Sequence, residues 1–309
     1  MQQYERSARI GEKRASYSLK GFNPNKPIQI SRSNTIEYAA MVEKEIPLTG
    51  GNTNGAVVRV GNTVRRALRP SSATVHRLLN FLEHQGFGGS PRFSGIDASG
   101  RETLSFIDGY CGISPSAWCS DSIIETTAQG LRNLHDITAY YPANRDDKWG
   151  FTYSDPARHE VICHNDFGLY NIVTDDNKFQ GIIDFDLAGP GPRIRDIAYA
   201  AYWLTPLSQI AEDMKPFALD DLSQNCRRLK LFCNSYGVEA DTSLLDMVSE
   251  ILHMMSSETA MIALFGCDVA SSLKRDGHLQ HWHKEALAFD VYRTDIERIL
   301  STDTRSVTD

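Results

Sequence analysis

Apolar residues recur with two different periods along the chain, and the change of period divides it near residue 110. Before that point, short β-prone runs alternate with turn residues, which predicts strands. The predicted strands are 56–60, 63–68, 91–95 and 102–107. The first two flank the turn pair Gly61-Asn62 and form a predicted hairpin. Residues 71–85 instead repeat apolar side chains at helical spacing, so this part is predicted to be a small sheet with one helix.

After residue 110 the helical period dominates. A helix is predicted over residues 121–138, because Ile123, Ile124, Leu131 and Leu134 fall on one face. Further helices are predicted at 197–204, 207–236, 243–266 and 279–300. One segment interrupts this period with three short β-prone runs, at 161–163, 172–174 and 179–183. The chain is therefore predicted to be an α+β protein whose larger part is mainly helical.

The polar residues between these three runs follow a pattern that suits phosphoryl transfer. His164, Asp166 and Asn171 fit H-x-D-x-x-x-x-N, and Asp184 ends the third run. A short loop after a strand can point Asp166 at an acceptor hydroxyl, while Asn171 and Asp184 return to the same point from neighbouring strands. Amide and carboxylate oxygens are ligands of hard cations such as Mg²⁺. We therefore predict that Asp166 orients the hydroxyl and accepts its proton, and that Asn171 and Asp184 are metal ligands.

This segment resembles the catalytic core of the aminoglycoside phosphotransferase and choline kinase group, the small-molecule branch of the protein-kinase-like fold. The resemblance rests on H-x-D-x-x-x-x-N, on Ile182-Ile183-Asp184-Phe185-Asp186 and on Asp196-Ile197-Ala198. It is specific over residues 161–200 and looser before them. It implies a two-lobed α+β fold, with a small β-rich N-lobe at 46–110. A larger, mainly helical C-lobe at 111–309 would carry the catalytic loop, the metal site and the acceptor-binding helices.

The resemblance also implies that ATP or GTP binds in the N-lobe. A strand cation would contact the α- and β-phosphates, and we favour Arg66 over Arg65 and Arg69. The Gly- and Asn-rich stretch 49–55 is a weaker candidate for backbone contacts to phosphate. A hinge between the lobes would contact the base through the backbone of Ser105, Phe106 and Ile107.

One expected partner of the strand cation is missing from the predicted helix 71–85. Protein kinases pair the cation with a helix glutamate, which is expected near His76. The helix has a single glutamate, Glu83, at its far end. Either His76 or a carboxylate from elsewhere orients the arginine, or the ion pair is absent.

Departures from protein kinases favour a small acceptor over a protein. The residue two positions after Asp166 is Gly168 instead of lysine, and no A-P-E segment follows Asp184. Asp186 has two interpretations, an auxiliary metal ligand or an acid that faces the surface or the acceptor. His135 is interpreted as a structural residue that bonds to the catalytic loop.

Composition is that of a soluble globular protein. Of the 309 residues, 41% are hydrophobic and 23% are charged. No apolar run is long enough to span a membrane, and the six cysteines form no C-x-x-C pair, which favours a reducing cytoplasm. Residues 1–45 lack a secretory signal and are interpreted as a mobile or lightly ordered extension with a short helix at 35–42. No nucleic-acid or membrane partner is expected, and the oligomeric state is left open.

Charge is distributed unevenly around the net value of −7. Residues 1–111 hold 15 basic and 9 acidic residues, and residues 112–309 hold 17 and 30. The acidic second part suits a cationic acceptor, although a plain acidic surface explains it equally well. We therefore predict a Mg²⁺-dependent phosphotransferase that moves the γ-phosphate of ATP or GTP to a hydroxyl of a small cationic molecule of the aminoglycoside kind. The alternative is a weak or inactive nucleotide-binding pseudokinase with a regulatory role, because the strand lysine and the helix glutamate are missing.

Overall fold

A computed structural model describes residues 44–48, 57–112, 120–207 and 222–303. The elements reported below belong to one compact unit, Ile46–Asp309. The predicted helix at 35–42 and the Gly- and Asn-rich stretch 49–55 lie outside the described residues. Lobe boundaries at 46–110 and 111–309 stay predictions.

The first part of the unit is a five-stranded antiparallel sheet in the order β1-β2-β3-β5-β4. Its strands are β1 Ile46–Pro47, β2 Val58–Val60, β3 Thr63–Ala67, β4 Phe93–Ile96 and β5 Arg101–Ser105. The predicted hairpin is present, with Val60 opposite Thr63 and Gly61 at a φ of 57°. Strand β5 returns beside β3 and places Glu102 opposite Arg66. This register brings together two charged residues that are distant in sequence.

One helix, α1 (Ser72–His84), packs against this sheet. Its buried face is the one that the apolar spacing predicted, with Val75, Leu78, Leu79 and Leu82 almost fully buried. The imidazole of His76 stacks on Phe93 of β4 with ring centroids 3.6 Å apart. Helix α1 is thereby fixed to the sheet at the level of Glu102.

Two smaller antiparallel sheets follow and carry the predicted phosphoryl-transfer segment. Their strands are β6 Tyr110–Cys111, β7 Val161–Cys163, β8 Ile172–Asp175, β9 Lys178–Ile182 and β10 Gly189–Gly191. Strand β7 pairs with β10, and β6, β8 and β9 form the other sheet in that order. The chain turns between β8 and β9 at Asp176 and Asn177, whose φ values are 45° and 58°. Left-handed residues at both positions are typical of a two-residue hairpin turn.

The rest of the described chain is helical. The helices are α2 Asp121–Thr138, α3 Arg193–Leu204, α4 Leu222–Tyr236, α5 Thr242–Ser256, α6 Glu258–Phe265, α7 Cys267–Arg275 and α8 His278–Asp303. The bounds of α2 are those predicted, and the four residues placed on its inner face are buried. Helix α3 is buried on nearly all sides, as its Ala- and Tyr-rich sequence predicted. None of the helices in the described ranges combines the length and apolar character that crossing a membrane requires.

The prediction of one helix at 243–266 is wrong. The chain breaks at Ser257, whose hydroxyl accepts a hydrogen bond from Ala260 N and so starts α6. A second break at Gly266, with a φ of 82°, separates α6 from α7, a helix that the periodicity did not predict. The polar run Ser256-Ser257-Glu258-Thr259 was the sequence signal for the first break, and Gly266 was the signal for the second.

Candidate active site

The loop between β7 and β8 holds Asp166 by both carboxylate oxygens. Asn171 Nδ2 donates to Asp166 Oδ2 over 2.9 Å, and the Tyr170 hydroxyl donates to Asp166 Oδ1 over 2.5 Å. Burial raises the pKa of Asp166 above its ordinary value, and the hydrogen bond from Tyr170 opposes that rise. The structure therefore places Asp166 and Asn171, two of the predicted site residues, in direct contact.

The backbone of this loop is held by Asp196 at the start of α3. Asp196 Oδ2 accepts from His164 N over 2.6 Å, and Oδ1 accepts from Asn165 N over 2.7 Å. Asn165 has a φ of 64°, a left-handed conformation that asparagine tolerates better than most residues. His135 Nε2 lies 3.1 Å from Asp196 Oδ2, so the predicted structural role of His135 is exerted through Asp196.

His135, Cys163 and Asp196 also offer three potential metal ligands within 4.8 Å of one another. Each of them already has a hydrogen-bond partner. Asp196 accepts the bonds described above, His135 Nδ1 lies 2.8 Å from the Tyr236 hydroxyl, and Cys163 donates to Pro192 O. Burial raises the pKa of the Cys163 thiol, which keeps it protonated. This cluster is a buried support for the loop.

The end of β9 brings Asp184 beside the same loop. Ile183 N donates to Asn171 O over 2.9 Å, and His164 Nε2 lies 3.1 Å from Ile183 O. Asp184 itself is left-handed, with a φ of 67°, which turns the chain sharply after the strand. Because Asn171 uses its amide nitrogen on Asp166, its amide oxygen is the atom it offers a cation. An amide oxygen beside a carboxylate fits Mg²⁺.

Arg66 connects the first sheet to this segment. Its Nη1 donates to Asp184 Oδ1 over 2.9 Å, and its Nη2 donates to Asp186 Oδ1 over 2.6 Å. Burial alone would lower the pKa of Arg66, but the surrounding carboxylates, first Asp186 and then Asp184, raise it. Arg65 points elsewhere, 3.7 Å from Asp97. Of these two arginines, the favoured one is therefore the one that faces the predicted metal ligands.

The acid that orients Arg66 is Glu102 of β5, which sequence reasoning did not identify. Arg66 Nε donates to Glu102 Oε1 over 2.6 Å, and His76 Nε2 lies 2.5 Å from Glu102 Oε2. The Glu102 side chain is only 1% exposed, so both of its oxygens are committed to these partners. Two of the predicted alternatives are thus combined, since a carboxylate from elsewhere orients the arginine and His76 holds that carboxylate. The sequence signal for this role was Glu102 itself, an acidic residue inside the predicted strand 102–107.

The Asp186 carboxylate forms ion pairs with arginine side chains. Besides Arg66, its carboxylate lies 3.6 Å from Arg69 Nε, and its carbonyl oxygen accepts from the Ser71 hydroxyl. Burial raises the pKa of Asp186, and the neighbouring charge of Asp184 adds to this effect. Asp184 and Asp186 therefore share Arg66 as a partner, and Asp186 differs from Asp184 in lying near Arg69 as well.

The predicted hinge offers fewer backbone groups than the sequence suggested. Ser105 N donates to Arg92 O and Phe106 N donates to Asn62 O, so both amides are used within the sheet. In the described chain, the Phe106 carbonyl and the backbone of Ile107 are the groups of the predicted hinge that remain available to a base. The roles of Ser105, Phe106 and Ile107 stay predictions.

Two tyrosines lie beside Asp166. The Tyr170 hydroxyl lies 2.7 Å from the Tyr199 hydroxyl, which comes from α3. Burial raises the pKa of both phenols, so both keep their protons at neutral pH. Gly168 leaves room for the Tyr170 ring, because a Cβ at position 168 would lie 2.7 Å from it. The sequence signal for this arrangement was Gly168, which stands where protein kinases have lysine and leaves space for a large neighbouring side chain.

Comparison with known proteins places this geometry among related chains. The model of the phosphotransferase enzyme family (APH) matches residues 134–214. The trifolitoxin immunity protein of Rhizobium leguminosarum bv. trifolii is 34% identical over 200 residues, which are 63% of this chain and 74% of that protein.

Solved structures with the same fold are more distant in sequence. A choline/ethanolamine kinase family protein from Mesorhizobium loti superposes with a TM-score of 0.52 at 13% identity, over 86% of this chain and 94% of that one. The gentamicin complex of APH(2'')-IIa gives a TM-score of 0.51 at 13% identity, over 84% of this chain and 97% of that one. These likenesses confirm the predicted two-lobed, protein-kinase-like α+β fold.

Proposed function

The chain belongs to the phosphotransferase enzyme family, and from that premise we propose that it moves the γ-phosphoryl group of a nucleoside triphosphate to a hydroxyl of a small molecule. The observation that carries this proposal is the convergence of four residues from three separate parts of the chain. Asp166 and Asn171 touch on one loop, Asp184 lies beside them, and Arg66 reaches Asp184 from the sheet.

In this reaction Asp166 is the base. Its carboxylate, held by Asn171 and Tyr170, orients the acceptor hydroxyl and receives its proton as the new O–P bond forms. The bond between the γ-phosphorus and the β,γ-bridging oxygen breaks, and the nucleoside diphosphate leaves. Positioning and charge stabilisation supply most of the rate in such transfers.

Asn171 and Asp184 are proposed to hold Mg²⁺. Their oxygens suit a hard cation, and the backbone bond from Ile183 N to Asn171 O keeps the two residues side by side. Bound Mg²⁺ supplies neutralisation of charge on the phosphates. Arg66 directs its guanidinium fork at the same segment and adds a fixed positive charge there.

The acceptor is proposed to be a small cationic compound of the aminoglycoside kind. The excess of acidic residues in 112–309 supports an amine-bearing molecule. The relative named as an immunity protein against trifolitoxin supports a bioactive compound as the target. Asp186 does not supply this attraction, since two arginines neutralise its charge.

The pseudokinase alternative loses its two grounds. Arg66 takes the place of the strand lysine, and Glu102 takes the place of the helix glutamate, with both charges paired at hydrogen-bond distance. An active enzyme is therefore the better supported of the two functions.

The test is a phosphoryl-transfer assay over an acceptor panel. The purified chain is incubated with Mg²⁺ and ATP or GTP, and with gentamicin, streptomycin, choline, ethanolamine or a neutral macrolide, and products are detected by mass spectrometry. Asp166→Ala should lower kcat by about 10²–10⁴-fold, the usual contribution of a positioned base. Asp146→Ala, at an exposed acid of the 140s loop, is the matched control. No product and no nucleotide hydrolysis would reject the proposal, whereas turnover of neutral acceptors alone would reject only the cationic class.

A further inference from the structure

Tyr170 lies beside Asp166, and the proposed mechanism uses only its hydroxyl and leaves its ring without a role. The hydroxyl and the rest of the residue have different surroundings. The hydroxyl is enclosed between Asp166 and Tyr199, while the residue as a whole is 42% exposed. Tyr170 therefore presents part of its surface to solvent directly beside the proposed catalytic carboxylate.

The surroundings of Tyr170 fix this orientation. Tyr199 is buried in α3, so its hydroxyl is a stationary partner for that of Tyr170. Trp203, one turn further along α3, meets the ring edge to face with centroids 5.7 Å apart. Gly168 supplies the remaining space, since any larger residue there would collide with the ring. These contacts leave the ring little freedom to leave Asp166.

Building on the proposed function, we propose that Tyr170 positions Asp166 through its hydroxyl and that its exposed ring is the surface on which the acceptor lies. An aromatic face attracts C–H bonds and cationic amines. The acceptor class that fits is therefore a cyclic alcohol that presents a C–H-rich or amine-bearing face next to its reactive hydroxyl. Recognition of the amine by an aromatic ring also explains how a cation can bind although Asp186 is neutralised by arginines.

Two substitutions separate the two roles. Tyr170→Phe keeps the ring and removes the hydroxyl, so the acceptor KM should stay within about twofold while kcat falls about 3–10-fold through the lost hydrogen bond to a charged group. Tyr170→Ala removes both, so the acceptor KM should also rise by about tenfold or more. Tyr199→Phe should lower kcat by about twofold, because Tyr170 then loses its anchor.

The matched controls are Tyr140→Phe and Tyr140→Ala, at a tyrosine that is 83% exposed at the end of α2. They should leave all parameters unchanged. Nucleotide affinity, measured with a fluorescent ATP analogue, should stay at the wild-type value in every variant. Tyr170→Leu takes the place of the alanine variant if thermal unfolding shows that the latter does not fold.

Kinetics are measured with each acceptor that the panel turns over, and with water as acceptor through nucleotide hydrolysis. An unchanged acceptor KM in Tyr170→Ala, or unchanged kcat and hydrolysis in Tyr170→Phe, would overturn the inference. If the panel contains no acceptor, hydrolysis alone decides, and an undiminished rate in Tyr170→Phe overturns it. Absence of all activity in the wild-type chain is a different result, which rejects the proposed function itself.

Discussion

The side chain of Arg66 is oriented by Glu102 on the neighbouring strand. In protein kinases the corresponding strand cation is instead oriented by a glutamate on a helix. Arg66 and Glu102 are opposite one another in the β3–β5 ladder, so the backbone register itself brings them together. Helix α1 contributes only His76, on the far oxygen of Glu102. A pair formed within one sheet cannot be broken by moving a helix, so the charge that faces Asp184 is held permanently in place.

Glu102→Gln should weaken nucleotide binding. The amide keeps the shape but loses the charge that holds Arg66, and a hydrogen bond between charged groups contributes about 1.5–3 kcal/mol. The nucleotide KM should rise by about tenfold while the acceptor KM stays constant. Glu83→Gln is the control, since this half-exposed acid of α1 pairs with Arg92 away from the site. A stronger effect of Glu83→Gln would mean that the helix, and not the sheet, orients the arginine.

Asp184 and Asp186 should differ sharply as metal ligands. Both carboxylates pair with Arg66, but Asp184 directly follows Ile183, which bonds to Asn171, whereas Asp186 lies near a second arginine, Arg69. Titration calorimetry of ATP with and without Mg²⁺ should show that Asp184→Asn abolishes most of the metal-dependent affinity. Asp186→Asn should retain it within about threefold, because the amide oxygen can still accept the hydrogen bond from Arg66. Equal losses in the two variants would assign both carboxylates to the metal.

At the scale of elements, close backbone contacts fix the position of the segment that carries Asp184 and Asp186. Gly150 N donates to Ala188 O, and the chain at Gly150 passes so near Asp186 that a Cβ at Gly150 would lie 1.8 Å from Asp186 O. Glycine is required at position 150 for this approach, since the clash is with backbone and no rotamer relieves it.

Gly150→Ala should therefore displace Asp186 and lower both stability and nucleotide affinity. Overpacking of this kind costs about 1–3 kcal/mol, which urea unfolding can measure. Gly88→Ala is the control, because a Cβ there meets no atom within 4 Å. Equal stabilities of the two variants would show that the 150s loop yields without disturbing the site.

Asp196 joins α2, α3 and the catalytic loop, so its ionisation bears on all three. Burial alone would raise its pKa, but the hydrogen bond from His135 and the neighbouring charges lower it below the ordinary 3.8. A lowered pKa in the folded state means that the carboxylate stabilises the fold above pH 3.8 and that this stabilisation is lost as the pH falls through the folded value.

Asp196→Asn should accordingly lose stability at neutral pH, by about 3 kcal/mol or more, because a buried charged network is broken. The difference in the free energy of unfolding between variant and wild type should become smaller as the pH falls below 4. Urea titrations across that pH range would show this. A gap that is the same at every pH would mean that the charge of Asp196 is not what stabilises the loop.

At the scale of the whole molecule, acidic and basic residues are distributed unevenly along the chain. If the 17 basic and 30 acidic residues of 112–309 attract the proposed cationic acceptor, that attraction acts over a Debye length of about 10 Å at 0.1 M salt. The KM of a cationic acceptor should therefore rise with ionic strength, and that of a neutral acceptor should not. Steady-state kinetics at constant pH over a salt series test this, and a salt-independent KM for gentamicin or streptomycin would leave short-range contacts as the sole source of recognition.

The sequence by itself determined the features that depend on local spacing. The turn pair Gly61-Asn62 between two β-prone runs predicted the first hairpin, helical periodicity predicted α2 with its bounds, and the H-x-D-x-x-x-x-N spacing selected Asp166 and Asn171. These succeed because a pleat or a helical turn is fixed by a few neighbouring residues, whatever the rest of the chain does.

Only the tertiary structure decided which distant groups meet. Glu102 is 36 residues from Arg66 and Asp184 is 118 residues from it, and no period connects them. The same holds for Tyr199, which anchors Tyr170 from a helix that the sequence marked only as buried. Such pairs arise from sheet register and helix packing, which are set by the burial of the whole apolar surface. For that reason the sequence could predict that Asp166 and Asn171 share one loop, whereas it could not predict the partners that orient the site residues.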